Sequence, residues 1–427
     1  MKLLHTSDWH LGARLGGIDR ADDAFARITE LCAVIDSHQV DCLLIAGDLF
    51  DETRADRLPA LLHRLARLLR PRVADGLKVV ALAGNHDRPH MFPLLQSAAA
   101  LLGANDGSGT VVFTDTPRLV TVTNRDQSEQ LQLACLPYPF HERYALAAQN
   151  WPTRDAKHRE LGDAVRRSMG ELADEAERTN PGVPAIMAGH LLVRGATVGE
   201  GFYCLSEAED VPVERGDLPG YAYVALGHIH KPQTLGSDHV RYCGSIERMD
   251  LGEATDDKAA VLVTLDGHRV VDTIPVPLAA TPFARVQASN IDELTAAHAA
   301  MTDPERTLVS LTVLDTGATR IGALFTQARQ LFPRLYGHPQ ILRTATQAGA
   351  GVGAGVGLDR ADVAGTVRTY LARTLADDPD AAALRELATE LLAEEGIVAD
   401  LTPQPGDAAA PAAAGAVSAP PNSEATR

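Results

Sequence analysis

Short apolar runs alternate with helical stripes over the first hundred residues. Residues 2–7, 42–46 and 78–83 read as buried strands. Phe25, Ile28, Leu31, Cys32 and Ile35 recur at helical spacing within 20–38. Leu58, Leu61, Leu62, Leu65, Leu68 and Leu69 share one face of a helix predicted over 54–70. That βαβαβ order predicts parallel strands with helices packed on the sheet. Strands at 111–113, 119–123 and 131–136 follow without helices between them. A long polar helix is predicted over 153–178, then strands at 185–188, 223–226, 241–243 and 259–265. This second stretch is expected to give way to a more antiparallel arrangement.

The proline-marked stretch 276–281 reads as a domain exit. Beyond it, a strand at 283–286, a helix at 291–301, a strand at 307–314 and a helix at 322–331 make a small α+β domain. AGAGVGAGVG at 348–357 is a flexible linker by composition. Residues 359–398 carry two amphipathic stripes, one through Val363, Val367, Tyr370, Leu371 and Leu375, the other through Leu384, Leu387, Leu391 and Leu392. Residues 402–427 include nine Ala and five Pro, and disorder is expected there. The chain therefore divides at 1–277, 278–345, 346–358, 359–400 and 401–427.

Charge narrows the partners. The net charge is -17, from 56 acidic and 39 basic residues among 427. A nonspecific nucleic-acid coat needs a basic footprint and is excluded. A local cationic site is not. Residues 359–400 hold ten acidic and four basic side chains, a poor surface for DNA and a suitable one for a basic protein. Cys32, Cys42, Cys135, Cys204 and Cys243 are scattered with no CxxC pair, as expected of small buried hydrophobes in a reducing cytoplasm. No run of 18 apolar residues exists, and neither a signal peptide nor a membrane span is expected.

The chemistry gathers at strand ends. Asp8-Trp9-His10 follows the first strand, Gly47-Asp48-Leu49-Phe50-Asp51 the second and Gly84-Asn85-His86-Asp87 the third. Gly189-His190 and Gly227-His228-Ile229-His230 end two later ones. Ligands of open α/β sheets bind at the carboxyl ends of strands, so five polar clusters converge on one edge. The glycines ahead of four clusters suggest sharp turns off the strands. Asp8, His10, Asp48, Asn85, His190, His228 and His230 offer carboxylate, imidazole and amide donors without thiolate, a set suited to a pair of Mn, Fe or Zn ions. Alternation along extended backbone would place both side chains of DxH, and of HxH, on one side. Asp48 is the natural bridging carboxylate. Two dications, two carboxylates and a hydroxide leave about one positive charge, which matches one phosphodiester. Any one of these histidines alone reads as a structural residue; the ordered series does not. His86 stands apart as an acid or phosphate-stabilising group, and Asp51 is placed to orient it or a ligand.

Together DxH, GDxxD, GNHD, GH and GHxH resemble the calcineurin-like metallophosphoesterase motif set. More narrowly, HTSDWHLG at 5–12, AGDLFD at 46–51, AGNHDRP at 83–89, YVALGHIHKPQ at 223–233 and GSIERMDLGE at 244–253 resemble the SbcD family. The resemblance covers residues 1 to about 275 and implies an α/β sandwich of mixed sheets flanked by helices, with a DNA-binding cap at 278–345 and a helical ATPase-binding segment at 359–400. It implies one metal on Asp8, His10, Asp48 and His230 and another on Asp48, Asn85, His190 and His228, manganese by family preference. It implies His86 as the catalytic histidine. Double-stranded DNA and an SbcC-type SMC-like ATPase are the implied partners, with a nuclease homodimer inside a heterotetramer. Arg14 and Arg88 flank two motifs and are candidate phosphate contacts. Arg57, Arg64, Arg67 and Arg70 read as a solvated helix face. The competing functions are a phosphoesterase for a small nucleotide or phosphoprotein, which needs no added domains, and a silent DNA-end clamp, which needs no donor set.

Overall fold

The computed structural model describes residues 1–343 apart from 53, 55, 102–108, 147–150, 199–210, 268, 316–320 and 338, and isolated positions between 367 and 389. The expected linker at 346–358, the helices at 359–400 and the tail at 401–427 lie outside the described residues, save those isolated positions. One compact unit comprises Met1–Val313 and Arg320–Gln340; Leu314–Thr319 and Ile341–Arg427 form the other.

The strands in chain order are β1 (Lys2–Thr6), β2 (Arg14–Leu15), β3 (Ile18–Asp19), β4 (Cys42–Ala46), β5 (Lys78–Leu82), β6 (Val111–Thr114), β7 (Arg118–Thr123) and β8 (Gln130–Leu136). They continue as β9 (Ala185–His190), β10 (Tyr223–Gly227), β11 (Gln233–Thr234), β12 (Val240–Tyr242), β13 (Lys258–Asp266), β14 (Arg269–Leu278), β15 (Phe283–Ala288), β16 (Leu308–Asp315) and β17 (Gln340–Arg343). The helices are α1 (Ala21–His38), α2 (Leu58–Ala74), α3 (Met91–Leu101), α4 (Arg154–Thr179), α5 (Ile291–Ala299) and α6 (Ile321–Leu331).

Two six-stranded sheets, ordered β14-β13-β1-β4-β5-β6 and β11-β12-β10-β9-β8-β7, carry the main domain. They pack face to face. Leu3, Leu44, Val80 and Leu82 of one meet Leu133, Ile186 and Tyr223 of the other. The outer face of the first sheet is covered by Phe25, Ile28 and Ile35 of α1 and Leu65 and Leu69 of α2. Val165, Met169 and Leu172 of α4 cover the second. Strands covered on both faces have no solvent side, which is why they appear as unbroken apolar runs. The α/β expectation is met. The expected drift to antiparallel pairing is only partly met, because β8, β9, β10 and β12 pair in parallel. The crossover through α4 returns the chain to the same sheet.

Helix α2 starts at Leu58 rather than 54. Pro59 sits in its first turn, where a missing N–H costs nothing. It runs on past Pro71 to Ala74, and the Arg72 guanidinium donates to the Leu68 carbonyl at 2.6 Å. After β14 a separate apolar cluster forms from Val286, Leu294, Leu311, Leu324 and Phe332, with β15 and β16 parallel around α5. Asn290 caps α5 by accepting from the Glu293 amide at 3.0 Å, while Glu293 accepts from the Ser289 amide at 2.7 Å.

Candidate metal centre

All five polar clusters lie where β1, β4, β5, β9 and β10 end. At Gly47, Gly84 and Gly227 the loops are packed too closely for a side chain. Gly47 has φ +97, and a Cβ on it would lie 2.0 Å from His190 Nδ1. A Cβ on Gly84 would lie 2.0 Å from Asp48 Oδ1. Sharp turning explains Gly47; close approach of a donor explains Gly84, whose φ is not in the left-handed region.

The donors reach the site by an unexpected backbone route. Asp8 (φ 52), His10 (φ 43), Asp48 (φ 50) and His228 (φ 93) all occupy positive φ. The DxH and HxH side chains therefore do not converge by strand alternation. Their backbones leave the sheet and coil, and each loop is pinned by hydrogen bonds. The His228 amide donates to both oxygens of Asp8 at 3.2 Å. The His86 amide donates to Asp48 Oδ1 at 2.8 Å.

Asp48 lies centrally. Its Oδ2 is 3.3 Å from His190 Nε2 and 3.7 Å from His10 Nε2. Asn85 Oδ1 is 3.0 Å from His190 Nε2 and 3.0 Å from His228 Nδ1. His10 Nε2 and His230 Nε2 are 3.2 Å apart, and Asp8 Oδ1 is 3.8 Å from His230 Nε2. The structure brings all seven sequence-predicted donors together.

Several of these contacts set acceptor against acceptor. His190 Nδ1 donates to the Ala46 carbonyl at 2.8 Å, so in the neutral ring the Nε2 that faces Asn85 and Asp48 carries no proton. His230 Nδ1 donates to Glu253 Oε1 at 2.8 Å, so in the neutral ring the Nε2 that faces His10 carries no proton. Buried His10 Nδ1 has no hydrogen-bond partner among the described residues. Lone pairs this close need a cation or an extra proton between them. The clusters Asp8–His10–His230, Asp8–Asp48–His190 and His10–Asp48–His86 have the spacing of metal ligands. The donor set fits divalent cations.

The field treats the histidines differently. Burial disfavours a charged His190, yet Asp48 beside it pushes its pKa up to about 9. Burial holds His10 down at about 4, aided by His86 and His230 against the pull of Asp48, so it stays neutral and able to ligate. His86 lies at the rim, its side chain 43% exposed, with Nδ1 2.8 Å from Asp51 Oδ1. Partial burial opposes its charge, but the Asp51 hydrogen bond and Asp48 push it up to about 9. Its ring centroid is 4.6 Å from that of His10.

A cleft of about 510 Å³ opens beside His86, lined by Arg88, Phe140, His141 and Lys157 among others. Arg88 is exposed there. Arg14 is engaged locally on the β2–β3 hairpin, donating to the Gly17 carbonyl at 2.7 Å. Arg57, just ahead of α2, pairs with Asp19, and Arg64 on α2 pairs with Asp22 at 2.6 Å over the Phe25 ring.

Sequence reasoning passes over three supporting residues. Asp87 is buried and accepts from the amides of Gly84 (2.9 Å), Phe50 (3.0 Å) and Leu49 (3.2 Å), tying two ligand loops together. Burial and the nearby Asp48 charge raise its pKa. Arg143 donates to the carbonyls of Gly84 at 2.8 Å and Asp87 at 2.7 Å. Glu253 holds His230. Asp87 follows the GNH triplet directly and is legible; Arg143 sits in no pattern.

Residues 1–232 match the calcineurin-like phosphoesterase family, and the chain belongs to it. With this ring of donors it is a metal-dependent phosphodiesterase. Its relatives make the resemblance to SbcD specific. The SbcD component of the SbcCD nuclease from Rhodobacter capsulatus is 29% identical over 323 residues, 72% of this chain and 77% of that protein. The SbcD component from Escherichia coli K12 is 29% identical over 285 residues, 65% of this chain and 69% of that protein. That of Bacillus subtilis 168 is 30% identical over 269 residues, 62% and 66% of the respective chains.

Proposed function

We propose that the chain is the nuclease component of an SbcCD-type complex, cleaving DNA at double-strand ends and hairpins with manganese and an SMC-like ATPase. The observation that carries this reading is the cluster of seven donors, Asp48 at its centre, with His86 and Asp51 at its mouth. Asp8, His10, Asp48 and His230 would hold one ion; Asp48, Asn85, His190 and His228 the other. Bound there, two divalent ions supply an activated water and charge neutralisation at the phosphoryl oxygens. His86 acts beside them. Asp51 occupies its Nδ1, so Nε2 is left to face the substrate, and the proton the pair retains is available to a leaving oxygen. Arg88 and Lys157 on the cleft wall bind flanking phosphates.

The small domain at 278–345 is the cap that holds the duplex, and 359–400 docks on the ATPase, within a heterotetramer containing two nuclease chains. A cytoplasmic enzyme of DNA repair and recombination is the corresponding setting. Among the described residues no helix is long and apolar enough to cross a membrane. Cys32, Cys42, Cys135 and Cys243 are buried and free; Cys204 lies outside the described residues. The deciding assay is digestion of linear duplex and hairpin DNA with Mn²⁺, with and without ATPase and ATP. Cleavage that needs Mn²⁺ and is stimulated by ATPase and ATP supports the proposal. Hydrolysis of mononucleotides or phosphopeptides without cleavage of DNA would replace it with a small-substrate phosphoesterase.

A further inference from the structure

GSIERMDLGE at 244–253 carries part of the family resemblance yet supplies none of the seven donors. Its last residue reaches one of them. We propose that Glu253, clamped by Lys258, is a positioning residue that keeps the His230 proton on Nδ1 and so presents Nε2 to a divalent cation. This rests on the dinuclear reading of the site.

The two side chains are buried, Glu253 at 3% and Lys258 at 1% exposure. Glu253 Oε1 accepts from His230 Nδ1 at 2.8 Å. Its Oε2 accepts from Lys258 Nζ at 2.6 Å and from the Met249 amide at 3.1 Å. Lys258 Nζ also donates to the His230 carbonyl at 2.9 Å and to Ser245 Oγ at 2.9 Å. His230 is thus gripped twice, its ring by Glu253 and its backbone by Lys258. A lysine shut away from water needs its acceptors supplied, and this loop supplies them.

The pair is neutral overall, so its contribution is not net charge at the metal. It is proton placement and ring orientation. A free imidazole carries its proton mainly on Nε2, the nitrogen that must be bare here. Outer partners of this kind are worth about 10–100-fold in metal affinity. His190 has a backbone carbonyl in the same role. The loop 244–253 is therefore the support of one ligand, which gives its sequence a physical reason.

The test is MnCl₂ titration of the full chain by calorimetry, with electron paramagnetic resonance for stoichiometry. The wild type, E253A, H230A and the double variant are compared, since a glutamine would keep an acceptor for Nδ1. E253A should weaken one of two ions by about 10–100-fold and leave the other unchanged. In the H230A background the same change should add no more than about twofold, because the residue acts through His230. Wild-type affinity at both sites in E253A overturns the proposal. So does an equal loss with and without His230, which marks a merely structural role. Should E253A not fold, the wild type loaded with Zn²⁺ decides by nitrogen NMR of the His230 ring. Protonated Nδ1 with bare Nε2 supports the assignment, and the reverse tautomer overturns it. A wild type that takes up no Mn²⁺ or Zn²⁺ overturns the metal reading itself, and this proposal with it.

Discussion

His5 and His86 show one residue type taking opposite parts in different surroundings. His5 stands between the two sheets, fully buried, with Nδ1 3.1 Å from the Tyr223 hydroxyl. Burial pushes its pKa down to about 3, against an ordinary value of 6.5. It is neutral in the fold and charges on unfolding. Its contribution is complete above pH 6.5 and is lost as the pH falls toward 3. From about pH 7 to about pH 5 that loss is about 2 kcal/mol. Urea unfolding at both pH values should show H5Q losing less stability than the wild type by that amount; parallel losses would mean His5 is charged in the fold. His86 instead, only partly buried, is pushed up by the Asp51 hydrogen bond and Asp48. H86A should keep both metal ions by elemental analysis and lose roughly 10²-fold or more in hydrolysis. Metal lost in step with activity would make His86 a ligand.

At the scale of elements, the site depends on loops held where two strands finish side by side. Gly84 ends at the Asp48 carboxylate. G84A should therefore displace that carboxylate. The expected result is loss of metal binding together with about 1–3 kcal/mol of stability, read by Mn²⁺ titration and thermal melts. Helix α1 ties other elements together. Arg20 and Arg27 both pair with Glu247, at 3.0 and 3.1 Å, and Glu247 also accepts from the Thr281 amide at the start of the small domain. Arg334 of that domain reaches Asp23 on the same helix. E247Q weakens the hold on two buried guanidinium groups, which keep Asp23 and Glu30 as partners, and should cost about 1–3 kcal/mol, seen as a lower melting temperature. R14Q, on the exposed hairpin, should change stability by less than about 0.5 kcal/mol.

Elements of this kind are unevenly legible in the sequence. The buried strands are visible because both faces are covered. Strand β14 passes for a domain exit on account of its prolines. It is an edge strand, pairing only with β13 among the described residues, and there the missing N–H of Pro275 or Pro277 breaks no ladder across the sheet. Helix α3 escapes because Pro93 and Ala98–Ala100 blur its apolar stripe. At the site, the donors announce themselves by residue type at strand ends. Their left-handed backbones do not, since Asp and His tolerate positive φ better than most residues but do not require it. Glu253 and Lys258 are hidden because pairing across buried space leaves no periodic trace.

For the whole molecule, the strongest expectation concerns division of labour. Residues 1–313 hold both sheets, the donors and the start of the small domain. Deleting 359–427 should leave Mn²⁺-dependent hydrolysis of simple DNA ends largely intact. Co-purification with the ATPase and ATP-stimulated cleavage should vanish. Undiminished complex formation would place the partner surface elsewhere.

The order of the first sheet also fixes when this enzyme can come into being. Strand β1 lies between β4 and β13, and its second neighbour, Lys258–Asp266, is made some 250 residues after it. At ribosomal speeds that interval is roughly 10–50 s. Throughout it, Lys2–Thr6 is at best the open margin of a partial sheet, a template for other chains and a natural hold for a chaperone. The last donors, His228 and His230, arrive in the same window. A nascent fragment therefore cannot assemble the seven-donor ring, and the hydrolytic centre is complete only once the sandwich is nearly closed.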